Sequence, residues 1–293
     1  MTGFLGEIGG KLADRWAALL ALPGFLFLAA ATAAAVLGQR DAVSYPDMSR
    51  QVSAWAASPA LKSTGGAVLV AAAVLAGSVF AGLVATAGGK LVEILWTLPG
   101  HRPPARWLAD WRRKRSKDAK ERAETAATPA ALDKAIRQAN RICVIEADCP
   151  TWIGDRLRAC HVRVSKTYGL DLSAIWPRLW LIVPDSTRTE LGAAQDALSS
   201  AARLGAWAFL YLLLAAWWWP AFPIAAVVAI SAAVKGRMAA ATLADLVEAT
   251  VDLHGGELAA QLGVPGPLTP ASGMLVTLRT GKSRWDPASP MAD

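Results

Sequence analysis

The sequence predicts an all-α integral membrane protein, with four transmembrane helices in two hairpins and a mostly helical cytoplasmic domain between them. Three observations carry this prediction. Four apolar runs contain no ionic residue: Trp16 to Gly38, Gly65 to Gly88, Leu204 to Trp219 and Ala221 to Val234. The ionic residues are gathered into blocks between those runs, in a chain that is 54% apolar overall. The polar stretch between the second and third runs is long enough for one small domain, and its apolar residues recur at helical spacing.

The first segment, 1–15, carries Lys11 and Arg15 ahead of an apolar run at 16–38. That run is long enough to cross a hydrocarbon layer about 30 Å thick and exceeds the roughly 7 to 15 residues of a signal-peptide core, so a retained signal anchor is expected. A loop at 39–64 holds few charges, of mixed sign, before the second run at 65–88. The next segment, 89–128, contains Lys90, Arg102, Arg106, Arg112, Arg113, Lys114, Arg115 and Lys117 around Glu93 and Asp110. The positive-inside rule places it in the cytoplasm, together with both termini, and leaves the 39–64 loop outside. Trp96, Trp107 and Trp111 recur around Arg112, Arg113, Lys114 and Arg115. Rings at headgroup depth with arginines on phosphates make these seven residues the lipid-interface candidates.

Residues 129–203 form the expected cytoplasmic helical domain. Thr151 is placed to cap a helix in which Ile153, Leu157, Cys160 and Val164 share a face, ending before Gly169. Asp171 caps the next, with Leu172, Ile175, Trp176, Leu179 and Trp180 following and a break expected at Pro177. Trp152, Trp176, Arg178 and Trp180 are the candidates for docking a protein partner. Thr187 and Glu190 have capping-box spacing and open a helix predicted to run to Trp219.

The third and fourth runs, 204–219 and 221–234, reach only about 21 to 24 Å at roughly 1.5 Å per residue. Arg203, Lys235 and Arg237 must therefore snorkel, with Trp217 to Trp219 as an interfacial belt. A return helix over 235–262 carries the stripe Met238, Leu243, Leu246, Val247, Val251 and Leu258, interrupted at Gly255-Gly256. Residues 263–293, rich in proline, glycine and serine, read as a flexible tail with at most a short ordered piece at Met274 to Leu278.

The spans hold no Asp, Glu, Lys, Arg or His, which argues against ion-coupled transport. They do hold small residues at helical spacing, Gly77, Ala81, Ala85 and Gly89 above all, which suit close helix packing within one chain or in a homo-oligomer. His101, His161 and His254 are scattered, and no nucleophile elbow, phosphate loop, dinucleotide fingerprint or paired-histidine motif is present. Cys143, Cys149 and Cys160 fit neither a disulfide framework nor a common zinc spacing. No enzyme activity, cofactor, metal or nucleic-acid partner is predicted. The net charge of +7 lies beside the apolar runs. Anionic lipid headgroups of the bilayer are therefore its expected partner.

The stretch Pro150 to Ala159, followed by Tyr168 to Leu172 and Trp176 to Trp180, resembles uncharacterised multi-span membrane proteins of high-GC Gram-positive (actinobacterial) bacteria. The resemblance implies a bacterial cytoplasmic membrane and a cytoplasmic position for this stretch, and it implies no reaction. The function expected from the sequence is a non-enzymatic membrane scaffold or signalling adaptor whose helical module docks a cytoplasmic protein. An oligomeric pore-forming effector is the alternative, ahead of a transporter for an uncharged solute.

Overall fold

A computed structural model of the chain describes residues 22–39, 63–100, 105–125 and 149–280, with scattered positions between 46 and 57 and between 128 and 133. The readings on 1–21, His101, Cys143, most of the 39–64 loop and the residues from 281 onward lie outside the described residues. All regular structure among the described residues is helical. The helices are α1 (Leu22–Leu37), α2 (Thr64–Thr97), α3 (Ala105–Glu124), α4 (Trp152–Tyr168), α5 (Leu172–Ile182), α6 (Asp185–Ala215), α7 (Ala221–Gln261) and α8 (Pro270–Arg279).

Three of these helices, α2, α6 and α7, are long and apolar enough to cross a membrane. The α1 helix is apolar but has 16 described residues, about 24 Å of rise. The chain divides into two compact units, one of residues 1–93 with 199–234 and one of 94–198 with 235–293.

In the first unit the helices pack through small residues. A Cβ on Gly24 would stand 2.0 Å from the Ser78 carbonyl oxygen, and one on Gly88 would stand 3.0 Å from the Ala206 Cβ. Ala81 and Ala85 are buried against Trp207, with Phe27, Leu210 and Val228 closing around them. The Phe27 ring also meets Tyr211 edge-on at 5.4 Å. Close approach of this kind multiplies dispersion contacts, the main attraction between helices that both face lipid. The hydroxyls of Thr32, Ser78, Thr86 and Ser231 each donate to the carbonyl four residues earlier, so these polar groups are satisfied inside their own helices.

Several boundaries differ from the sequence reading. The α6 helix starts at Asp185, before Thr187, because Pro184 O already accepts the Arg188 N–H and the Arg188 side chain caps Val183 O. It ends at Ala215, short of Trp219. The N–H groups of Ala216, Trp217 and Trp218 fold back onto Leu213 and Leu214, and Pro220 disfavours helical backbone at Trp219. The α7 helix does not break at Gly255-Gly256. A Cβ on Gly255 would lie 3.0 Å from Leu268, so the missing side chain admits a neighbour and offsets the glycine's weak helix propensity. Nor does Pro177 break α5. The hydrogen bond that Pro177 cannot make would end on the carbonyl of Ser173, in the exposed first turn where water can reach it.

The second unit has a conventional core. Val164 of α4, Leu170, Ile175 and Leu179 of α5, Val251 of α7 and Val276 of α8 are all at most 2% exposed. Each such aliphatic side chain contributes roughly 1.5–3 kcal/mol by leaving water. The short ordered piece expected at Met274 to Leu278 is the longer helix α8, Pro270–Arg279. Thr269 caps it, Ser272 returns the bond and Pro270 opens the first turn. The signal was faint because the capping partner is serine, where glutamate or glutamine is usual.

Candidate functional site

The second unit is organised around the start of α4. Thr151 accepts a hydrogen bond from the Gly154 N–H, capping the helix, and its hydroxyl donates to the carbonyl of Trp96 near the end of α2. Close packing requires Gly154, because a Cβ there would meet that Trp96 carbonyl oxygen at 2.6 Å. Asp155 follows, with its side chain only 2% exposed. One carboxylate oxygen accepts the Cys149 N–H at 2.7 Å, and the other faces the Arg112 guanidinium of α3 at 2.7 Å. Arg112 also donates to the Cys149 carbonyl at 2.6 Å. The segment 149–155 thus binds the end of α2 through Thr151 and the middle of α3 through Arg112.

A second ionic cluster begins at the next residue of α4, Arg156. Glu248 of α7 is buried and accepts from Arg156 and from Arg163, while Arg156 also pairs with Asp245. Burial pulls the Arg156 guanidinium down, but the hydrogen bond and charge of Glu248, with those of Asp245, outweigh it and leave its pKa raised. Tyr168 donates to Asp252 at 2.8 Å, extending the polar seam between α4 and α7. Arginines seven residues apart on α4 reach one carboxylate because that interval is close to two helical turns.

Cys160 sits beside this cluster. Burial, reinforced by the negative charge of Glu248, pushes its thiol up to about 11. In the unfolded chain the thiol ionises at its ordinary value, so the folded state alone keeps the proton between those two points. The associated stability is complete below the ordinary thiol range and is lost as pH rises toward 11. At pH 8 iodoacetamide is expected to modify Cys160 of the folded chain about a hundredfold more slowly than in denaturant, since thiolate is the reactive form. Peptide mass spectrometry reads each cysteine separately, and equal rates in the two states would contradict this placement.

The sequence-predicted residues are distributed unevenly. Trp152 packs partly buried against Ile153, Leu198, Ala239 and Ala240, and Trp176 packs against the main core. Arg178 donates to Ala174 O and to Thr280 O, tying α5 to the end of α8. Of the four docking candidates Trp180 is the most outward, 36% exposed and 6.1 Å from the Trp176 ring, and the adjacent Leu181 is 77% exposed. Met274, Leu275 and Leu278 of α8 are also more than half exposed. The sequence reading gives Met274 to Leu278 as a short ordered piece of the tail and assigns them no docking role.

Among the lipid-interface candidates, Trp96 and Arg112 are part-buried and have partners within their own unit. The Trp96 ring lies where a Cβ on Gly236 would touch it at 2.9 Å, and Arg112 serves Asp155 and Cys149. Trp107 and Trp111 are exposed, with the Arg115 guanidinium 5.0 Å from the Trp111 ring centroid. Arg113 pairs with Asp110 at 2.9 Å, and Lys114 is exposed. The helix-packing candidates lie within the first unit: Gly77 against Leu28, Ala81 and Ala85 against Trp207, and Gly89 against Arg203.

An open cleft of ≈ 380 Å³ follows α4, lined by Arg158, His161, Ser165 and Lys166 with Leu170 to Leu172. Among the described residues no group of three or more His, Cys, Asp or Glu side chains could hold a metal ion. Among the described residues the chain is all helical, with three helices long and apolar enough to cross a membrane and a helical unit held by buried and nearly buried ion pairs. No protein-family model, curated protein or solved structure matches it.

Proposed function

We propose that this protein is a non-enzymatic scaffold or signalling adaptor of the bacterial cytoplasmic membrane. In this reading four spans in two hairpins anchor the chain, both termini are cytoplasmic, and the helical module that includes α4, α5 and α8 docks a protein partner. The observation that carries it is a set of large apolar side chains left exposed on this module: Trp180 and Leu181 on α5, and Met274, Leu275 and Leu278 on α8. Large apolar side chains at such density on a folded surface mark interaction sites. The small-residue faces that an oligomeric pore would use are occupied by helices of the same chain, which supports the anchor over the pore.

Photo-crosslinking in living cells tests this. A benzophenone side chain at Leu181 or Leu275 should give a discrete adduct with a different protein, whereas one at the exposed Ala193 of α6 should not. Leu181→Asp should weaken the Leu275 adduct. If neither position yields an adduct from protein recovered in the membrane fraction, the adaptor reading fails; an adduct with a second copy alone would favour self-assembly instead.

A further inference from the structure

The exposed surface of α3 has a definite orientation, because its other side is tethered. Ala109 and Ser116 are the buried positions, and Arg112, 11% exposed at its side chain, holds that side against the start of α4. At about 100° per residue Trp107 and Trp111 fall on the opposite side of the helix. They are 75% and 57% exposed, with Leu108 beside them at 56%. Arg106, Lys114, Arg115 and Lys117 are all exposed around this apolar face. Asp110, between them, pairs with Arg113 and lies 3.7 Å from Arg106. A helix with tryptophans on one face and cations flanking them matches an anionic bilayer surface, where rings enter the headgroup layer and cations meet phosphates.

The neighbouring structure points to the same occupant. Segment 149–155, which holds Arg112, also holds the carbonyl of Trp96, and the adjacent Ile94 and Leu95 of α2 are exposed apolar side chains. Trp96 lies roughly 12 Å of helix rise beyond Gly88, where the second apolar run ends. Against a headgroup layer of roughly 5–7.5 Å per leaflet, Trp96 lies about 5–7 Å past the layer, a gap that side chains as long as tryptophan and arginine can span.

The geometry points to α3 as an anionic-lipid-binding helix: Trp107, Leu108 and Trp111 enter the headgroup layer of the leaflet from which α2 emerges, while the Arg112–Asp155 pair fixes α3 to the module. This rests on the membrane-spanning reading of α2. It differs from a general topology signal in requiring that α3 touch lipid in the finished protein, with Arg112 facing away from it.

Hydroxyl-radical footprinting of the full chain in nanodiscs separates the two claims. One set of nanodiscs contains phosphatidylcholine alone and the other includes phosphatidylglycerol. Each cation near an anionic surface contributes about a fivefold factor, so oxidation of Trp107 and Trp111 should fall at least about fivefold in the anionic discs. The quadruple change Arg106→Gln, Lys114→Gln, Arg115→Gln, Lys117→Gln should abolish that difference. Phe80 of α2 and Phe209 of α6 report insertion of the spans independently. If they are protected while Trp107 and Trp111 oxidise equally in both discs, or are protected equally in both, the α3 inference is overturned. If Phe80 and Phe209 are themselves oxidised freely, it is the spanning reading that fails.

Discussion

Asp155→Ala should open the junction at the start of α4 and destabilise the second unit by about 3–5 kcal/mol, the usual cost of removing one partner from a buried ion pair. The carboxylate satisfies the Cys149 N–H as well as the Arg112 guanidinium, so alanine would strand a backbone donor and a nearly buried cation together. Cys149 supplies the readout. Its thiol is buried at the same junction, and its alkylation in the folded chain should accelerate by roughly a hundredfold to a few thousandfold, since each 1.4 kcal/mol is a factor of ten in the open population. Replacing both partners by apolar residues, Arg112→Met with Asp155→Leu, should restore the part of the loss due to the unpaired charge but not the part due to the Cys149 N–H. A single variant whose Cys149 stays as protected as in the parent would show that the pair holds nothing.

Gly273→Val should release α8. A Cβ at that position would stand 1.7 Å from the Tyr168 carbonyl oxygen, so the helix cannot remain seated over the end of α4. Overpacking of this kind costs about 1–3 kcal/mol or more. It would also uncover Val276 and the Thr277 hydroxyl, which donates to Gly169 O and accepts from the Asp171 N–H. The expected result is rapid amide exchange over 270–279 with little change in α6. If exchange in α8 were unaltered, its seat on α4 would be wrong. The adaptor reading adds a consequence, since losing the Met274, Leu275 and Leu278 face should also remove the Leu275 adduct.

The parts of this architecture that could be read from sequence are those set by local chemistry. Thr151 and Asp171 cap α4 and α5 as their spacing predicts, and Gly169 adopts the left-handed backbone that ends α4. Long apolar runs identify α2 and the apolar halves of α6 and α7 because a bilayer imposes a minimum length. What escaped was pairing across the chain. Glu248 meets Arg156 and Arg163 over separations of 92 and 85 residues, and no local spacing announces such a partner. The single hint lay in its place within the apolar stripe of α7, beside Leu246, Val247 and Val251. Tryptophan is ambiguous for a related reason: a large amphipathic ring suits a core, a lipid surface or a partner, and Trp96 packs into a small core while Trp107 and Trp180 are exposed.

The tie between Arg112 and the Cys149 carbonyl spans 37 residues, and that interval also has a meaning in time. A ribosome makes the second apolar run and the basic segment first, and the 149–155 segment only afterwards. On the four-span reading, Arg112 would count among the cations that keep this segment inside before α4 has folded and its pair with Asp155 can form. Once α4 emerges, the same guanidinium is drawn into the junction. One side chain would thus serve first as a signal to the insertion machinery and then as part of the finished structure, and orientation would be decided before that signal is buried.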